Sequence, residues 1–158
     1  MHRSPSQLPE DARTKIAEAL NARLADGLDL HSQIKVAHWN IKGMQFAALH
    51  PLFETFAVRL AAHNDTIAER AVTLGARAHG TVRQAAKTSR LPEYPPEATR
   101  DVEHVKLLAE RIEKYLEGMR ESRGLGDKLN DADTVDILTN IIVELEKHDW
   151  FLRASLET

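Results

Sequence analysis

AHWNIKGMQFAALHPLFETF at 37–56 and HNDTIAER at 63–70 carry four metal-ligand side chains, His38, His50, Asp65 and Glu69. Imidazole nitrogen and carboxylate oxygen together suit iron or a similar divalent ion of intermediate hardness. Between and beyond them Leu49, Phe53, Phe56, Leu60, Ile67 and Leu74 recur at helical intervals, which predicts one helix from Phe46 to Leu74. On such a helix His50 and Asp65 lie about 22 Å apart, too far to share an ion. At 100° per residue His50, Glu54, Ala61, Asp65 and Glu69 nevertheless fall within an arc of about 100°, separate from the apolar stripe. A two-fold axis near Ala57 and Val58 resolves the conflict, because it sets His50 of one copy beside Asp65 and Glu69 of a second. Ala57, Val58 and Ala61 are small enough to let that second helix approach. An isologous dimer then makes two identical sites from one pattern.

Working outward, a first helix is expected after Pro9, with Glu10 and Asp11 suited to its N-terminus and Ile16, Leu20, Leu24, Leu28 and Ile34 along one face. It should end near Ile41, before Gly43. Pro51 falls early in the second helix, where proline costs least. Gly75 and Gly80 close that helix. Thr81 to Thr88 fits a short extra helix, and LPEYPP at 91–96 breaks it. A third long helix is predicted from Glu97 to Ser122, with Val102, Val105, Leu108, Ile112, Tyr115 and Leu116 buried and Gly124 and Gly126 as its stop. The last starts at DADTVD, 131–136, and runs through Ile137, Leu138, Ile141, Ile142, Leu145 and Leu152. No strand-like alternation of any length is present. The expected fold is all-α, a four-helix bundle with a short extra helix in the crossover between helices two and three.

The chain has 158 residues, a formal net charge of −3 and no cysteine. That length suits a single domain, 1–158, with one substantial core, and residues 1–10 read as a flexible N-terminal extension. Without cysteine there are no disulfides, no thiolate-bound zinc or iron–sulfur cluster and no thiol catalysis. No apolar leader and no run of some 18 apolar residues occurs, so the expected location is cytoplasmic with no membrane partner. Ferritin-type bundles that hold two irons within one subunit use Glu-x-x-His on two helices. This sequence has no Glu-x-x-His, and the nearest pattern, Asp101-x-x-His104, occurs once. A site shared between two chains is therefore the better candidate.

KVAHWNIKG, FAALHPLFE and HNDTIAERAVTLG, with DADTVDILT and EKHDWFL in the last helix, resemble the Dps family, the ferritin-like mini-ferritins called DNA-binding proteins from starved cells. The resemblance runs from about Thr14 to Leu156. It implies a ferritin-like fold and a hollow homo-dodecamer acting as a ferroxidase, an oxidoreductase that oxidises Fe(II), preferentially with hydrogen peroxide. Ferric mineral would be stored inside, protecting against oxidative stress. It further implies a di-iron site, Fe(II)/Fe(III), with His38 and His50 from one subunit, Glu54 as a supplementary or second-metal ligand, and Asp65 and Glu69 from the two-fold mate. Trp39 would stand beside the centre as electron donor or radical quencher. Position 54 is Glu where relatives often carry Asp, and the longer arm alters how a second iron is held.

Plainer readings stand beside these. A lone histidine is usually a surface or core residue, the default for His31, His63, His79 and His104. An Asp-x-x-x-Glu pair is usually a solvated face, and Glu69 with Arg70 can belong to an ordinary ion-pair network. Asp131, Asp133 and Asp136 cluster where a helix begins, with Asp133 as the expected N-cap. The resemblance adds an acidic pore there, able to concentrate Fe(II) by electrostatic focusing. Strong DNA binding in the family often uses a mobile Lys-rich tail, but the first fifteen residues hold only Arg3, Arg13 and Lys15 as Lys/Arg, opposed by Glu10 and Asp11. A lesser patch, Arg70, Arg77, Arg83, Lys87 and Arg90, reads as a solvated loop face. Weak or absent DNA binding is expected. The alternatives are a structural, DNA-compacting nucleoid protein with incidental metal binding, and a plain helical scaffold.

Overall fold

The computed structural model describes residues 1–157. Five helices follow in order: α1 Glu10–Asn40, α2 Phe46–Thr73, α3 Val82–Thr88, α4 Asp101–Lys128 and α5 Ala132–Ala154. The four long ones form the bundle. Helix α1 packs against α2, α4 and the short α3, α4 packs against α5, and α2 meets α5. The only ladder contact among the described residues is an isolated bridge between Lys42 and Arg100.

The core follows from the apolar stripes. Ile16, Leu20, Leu30 and Ile34 of α1 meet Phe53, Phe56, Leu60 and Ile67 of α2, with Leu108, Ile112 and Leu138 from the other pair, all at most 2% exposed. Two expected placements change. Ala57, assigned to the dimer-facing surface, is 1% exposed inside the chain's own core, whereas Val58 beside it is 60% exposed. Val102, expected on the buried side of its helix, is 42% exposed, because it sits in the first turn of α4, at the bundle's end.

Helix α4 begins at Asp101 rather than Glu97. The Asp101 carboxylate accepts hydrogen bonds from the Gln45 and Val102 backbone N–H groups, and these hold it below the usual carboxylate range. Gly43, at φ 140°, allows the α1–α2 loop to sit on that carboxylate; a Cβ there would lie 2.3 Å from Asp101 Oδ2. At its other end α4 runs through Gly124 and Gly126 to Lys128, beyond the expected stop. Glycine inside a helix costs about 1 kcal/mol relative to alanine. At Gly126 the missing side chain admits the first turn of α5, since a Cβ would stand 3.3 Å from Val135. The chain instead reverses at Asn130, in the left-handed region at φ 59°. The N-cap of α5 is Asp131, whose carboxylate accepts from Thr134 N, and not Asp133, which lies in the first turn.

A buried ion pair ties the crossover to the bundle. Arg23 Nη2 stands 3.1 Å from Asp26 Oδ2, and Arg23 also donates to Gly118 O at 2.9 Å. Asp26 Oδ1 accepts from Arg90 N at 2.8 Å, fastening the segment after α3. Residues 1–9 lie against the end of α2, where His2 N donates to Gly75 O at 2.6 Å and Ser4 Oγ to Thr73 O at 2.7 Å.

Candidate metal centre

The short connection from Ile41 to Gln45 folds the last turn of α1 back onto the first turns of α2, and so brings His38 and His50 together. Their rings stack with centroids 3.8 Å apart at 21°. His38 Nδ1 lies 2.7 Å from the His50 carbonyl, and His50 Nδ1 lies 2.9 Å from the His38 carbonyl. A carbonyl can only accept, so each Nδ1 carries the proton. In the neutral rings this selects the tautomer that leaves Nε2 as a lone pair, the state a metal-binding histidine needs. Phe46 stacks on the outer side of His50 at 4.9 Å.

Glu54 lies one helical turn beyond His50, with Oε2 3.5 Å from His38 Nε2. Its carboxylate is also paired with the Lys35 ammonium. That hydrogen bond, with the Lys35 charge behind it, pulls the Glu54 carboxyl below its ordinary range. Sequence reasoning passed over Lys35, although His31, Lys35 and His38 recur at intervals of four and three along α1 and form one face. Trp39 is 67% exposed, and the Lys35 ammonium stands 5.7 Å from its ring centroid.

Asp65 and Glu69 are exposed near the other end of α2. No group of three or more metal-ligating side chains converges within one chain among the described residues. The histidine pair with Glu54 and the carboxylate pair thus stand as two separate half-sets on one helix.

The remaining candidates divide. Asp131 is 3% exposed and committed, accepting from Arg70 at 2.6 Å and from the Thr134 hydroxyl at 2.5 Å. Asp133 and Asp136 are exposed. Arg70 is paired with Asp131, and the exposed Arg90 with Asp26 and Glu121, which leaves Arg77, Arg83 and Lys87 as the exposed cations of the basic stretch outside these ion pairs. His104 is fully buried and shares a 2.7 Å hydrogen bond with the Tyr94 hydroxyl. His63 contacts Glu144 at 2.6 Å. No described helix is long and apolar enough to cross a membrane.

A sequence profile of the ferritin-like domain matches residues 17–158. A DNA protection during starvation protein of Agrobacterium fabrum is 37% identical over 156 residues, covering 99% of this chain and 96% of that protein. Among solved structures, Dps from Mycobacterium smegmatis superposes with a TM-score of 0.95 at 28% identity, covering 100% of this chain and 95% of that one. Dps from Vibrio cholerae, described as a member of a broad superfamily of ferritin-like diiron-carboxylate proteins, gives 0.93 at 28% identity over 99% and 98%. With the tautomer-fixed histidine pair on an all-helical bundle, these likenesses make the chain a member of the ferritin-like family and, within it, of the DNA protection during starvation (Dps) proteins.

Proposed function

We propose that this protein is an iron-storing and detoxifying mini-ferritin, whose ferroxidase sites are shared across a two-fold interface between subunits of a hollow dodecamer. The observation that carries the reading is the reciprocal hydrogen bonding of His38 and His50, which leaves two Nε2 lone pairs ready for a cation with no third ligand but Glu54 near them in the chain. Asp65 and Glu69 of a two-fold mate complete the set, and their exposure leaves them open to that role. Iron is here substrate and cargo. Two Fe(II) ions give one electron each to hydrogen peroxide, the O–O bond breaks, and two protons complete two waters, so no hydroxyl radical is released.

The chain's own groups have distinct tasks in this scheme. The histidine pair and the carboxylates hold Fe(II). Lys35 fills the space beside Glu54, so a second Fe(II) held by Glu54 must displace the ammonium. Exposed Trp39 stands beside the histidines, where its indole can donate an electron to a stray oxidant. Asp133 and Asp136 would line an acidic entry that draws in Fe(II), while Asp131 caps α5. The cation patch is reduced to three exposed side chains outside the ion pairs, which supports weak DNA binding in a cytoplasmic protein. The test is anaerobic loading with Fe(II), then hydrogen peroxide, following ferric absorbance and the size of the iron-bearing species together. Fast oxidation with iron retained in a large assembly is expected; oxidation no faster than in buffer would refute the reading.

A further inference from the structure

A cavity of about 430 Å³ opens between the first half of α1, the segment that follows α2 and the short α3. Its floor is small and apolar, made by Ala17, Ala22, Ala25 and Ala76, of which Ala17 and Ala25 are 2% exposed. The Asn21 side chain holds one wall in place. Its Nδ2 donates to Arg77 O at 2.9 Å and its Oδ1 accepts from His79 N at 2.8 Å, so the two bonds bracket Ala78. The residues then alternate: Arg77 and His79 line this cavity, whereas Ala78 and Gly80 line the separate cleft between α1 and α2. From the other wall α3 brings Lys87 and Thr88, and its start is fixed by the capping box of Thr81 and Gln84. Arg77 and Lys87 are exposed and stand outside the ion pairs, and Glu18 is the one acid on the lining. The end of α3 accounts for Lys87 by itself, since the last helix carbonyls favour a cation, but not for a second unpaired cation over an apolar floor. None of the α2 residues given to the two-fold mate lines this cavity.

We infer that this cavity binds a nucleoside monophosphate, with the ring on the alanine floor, the phosphate between Arg77 and Lys87, and ribose hydroxyl or base amino groups donating to Glu18. The make-up of the lining argues for that class. Small-molecule sites of about 300 to 1,000 Å³ are mostly apolar with a few placed polar groups. Phosphate alone would leave the alanines uncovered, and an apolar molecule would bury two cations without partners. Alanine lets a flat ring lie close against α1, where a longer side chain would take its place. The planar guanidinium pairs bidentately with phosphate oxygens, the ammonium adds a point charge, and the Thr88 hydroxyl adds a donor. A carboxylate only accepts, so Glu18 repels the phosphate and selects the end of the ligand that carries N–H or O–H. Duplex DNA keeps its bases paired and stacked and has no free ring to offer. The inference stands apart from the ferroxidase reading, because no iron ligand takes part.

Calorimetric titration of the assembled, metal-free protein with adenosine monophosphate tests this, with adenosine, inorganic phosphate and a single-stranded oligonucleotide as comparison ligands. The monophosphate should bind about tenfold or more tightly than adenosine or phosphate, each of which lacks one half of the match. Arg77→Gln and Lys87→Gln should each raise its Kd about tenfold, the loss of one charge-assisted hydrogen bond. Ala22→Leu should abolish binding by filling the floor while leaving both cations in place. Arg77 and Lys87 are exposed, so their variants carry the test if Ala22→Leu does not assemble. Absence of binding at millimolar monophosphate, phosphate or oligonucleotide binding as tightly as the monophosphate, or an unchanged Kd in the variants would overturn the inference.

Discussion

Replacing His50 with alanine separates the two jobs this residue performs. Its imidazole offers one ligand nitrogen, while its backbone carbonyl accepts from His38 Nδ1 at 2.7 Å. His50→Ala removes the first and keeps the second, so His38 stays in the metal-ready tautomer. The expected loss is one ligand out of the shared set. Loss of a hydrogen bond that merely orients a ligand costs about 10–100-fold in metal affinity, and loss of the ligand itself should reach at least the upper end of that range. The structural cost is small. His50 is half-buried at the bundle's end, and the variant forfeits one hydrogen bond to the His38 carbonyl and a ring stack. At about 1 kcal/mol for such a bond, melting should fall by roughly 2–4 °C. Stopped-flow oxidation of Fe(II) by hydrogen peroxide, with calorimetric titration of Fe(II) under nitrogen, reads the first quantity, and thermal melting of the same sample reads the second. Oxidation at the wild-type rate in a well-folded variant would refute the ligand assignment. Collapse of the assembly would show instead that the histidine pair is a structural clasp.

Three further outcomes follow from the same geometry. Asp26→Ala leaves Arg23 charged and buried without its partner, which costs about 3–5 kcal/mol and should lower the melting temperature by roughly 6–20 °C; an unchanged melting curve would mean that Glu121 and Gly118 suffice for Arg23. His148 is 6% exposed, and burial pushes its pKa from 6.5 down to about 4, against the opposing pull of Glu144. The unfolded chain binds that proton below 6.5 and the folded chain does not, so stability should decline as pH falls from about 6.5 to about 4. The decline should be shallower in His148→Phe, and equal slopes in melts across that range would remove His148 as the cause. For the acidic entry, Asp133→Asn with Asp136→Asn should slow iron uptake about tenfold at low ionic strength, the gap closing with added salt. Asp131→Asn should chiefly destabilise α5, because that carboxylate serves the cap and Arg70.

The helices were legible where the apolar period is long and regular. Phe53, Phe56, Leu60 and Ile67 both predict α2 and fill its core face. Boundaries that depend on tertiary contact were harder to read. Gly124 and Gly126 look like a stop because glycine weakens a helix, yet α5 packs so closely on Gly126 that the helix gains by passing through it. Asp133 was expected to cap α5, but Arg70 reaches from α2 to hold Asp131 in that place, a contact with no local signature. The histidines and carboxylates could be picked out by type and helical phase, and their division into two half-sets follows from the rise of one helix. Lys35 escaped notice for a physical reason. A lysine on a helix face reads as solvated until a glutamate from another helix is seen to pair with it.

Sharing of each site by two chains can be tested directly by mixing subunits. One variant carries His38→Ala and His50→Ala, a second carries Asp65→Ala and Glu69→Ala, and each alone should oxidise Fe(II) with peroxide no faster than buffer. Dissociated, mixed in equal amounts and reassembled, half the two-fold dimers join one chain of each kind, and each such dimer holds one intact site. About a quarter of wild-type activity should return, the statistical value for an isologous interface. No recovery from a mixture shown to have exchanged subunits would contradict the shared site, and with it the reading of the chain as half of an iron centre.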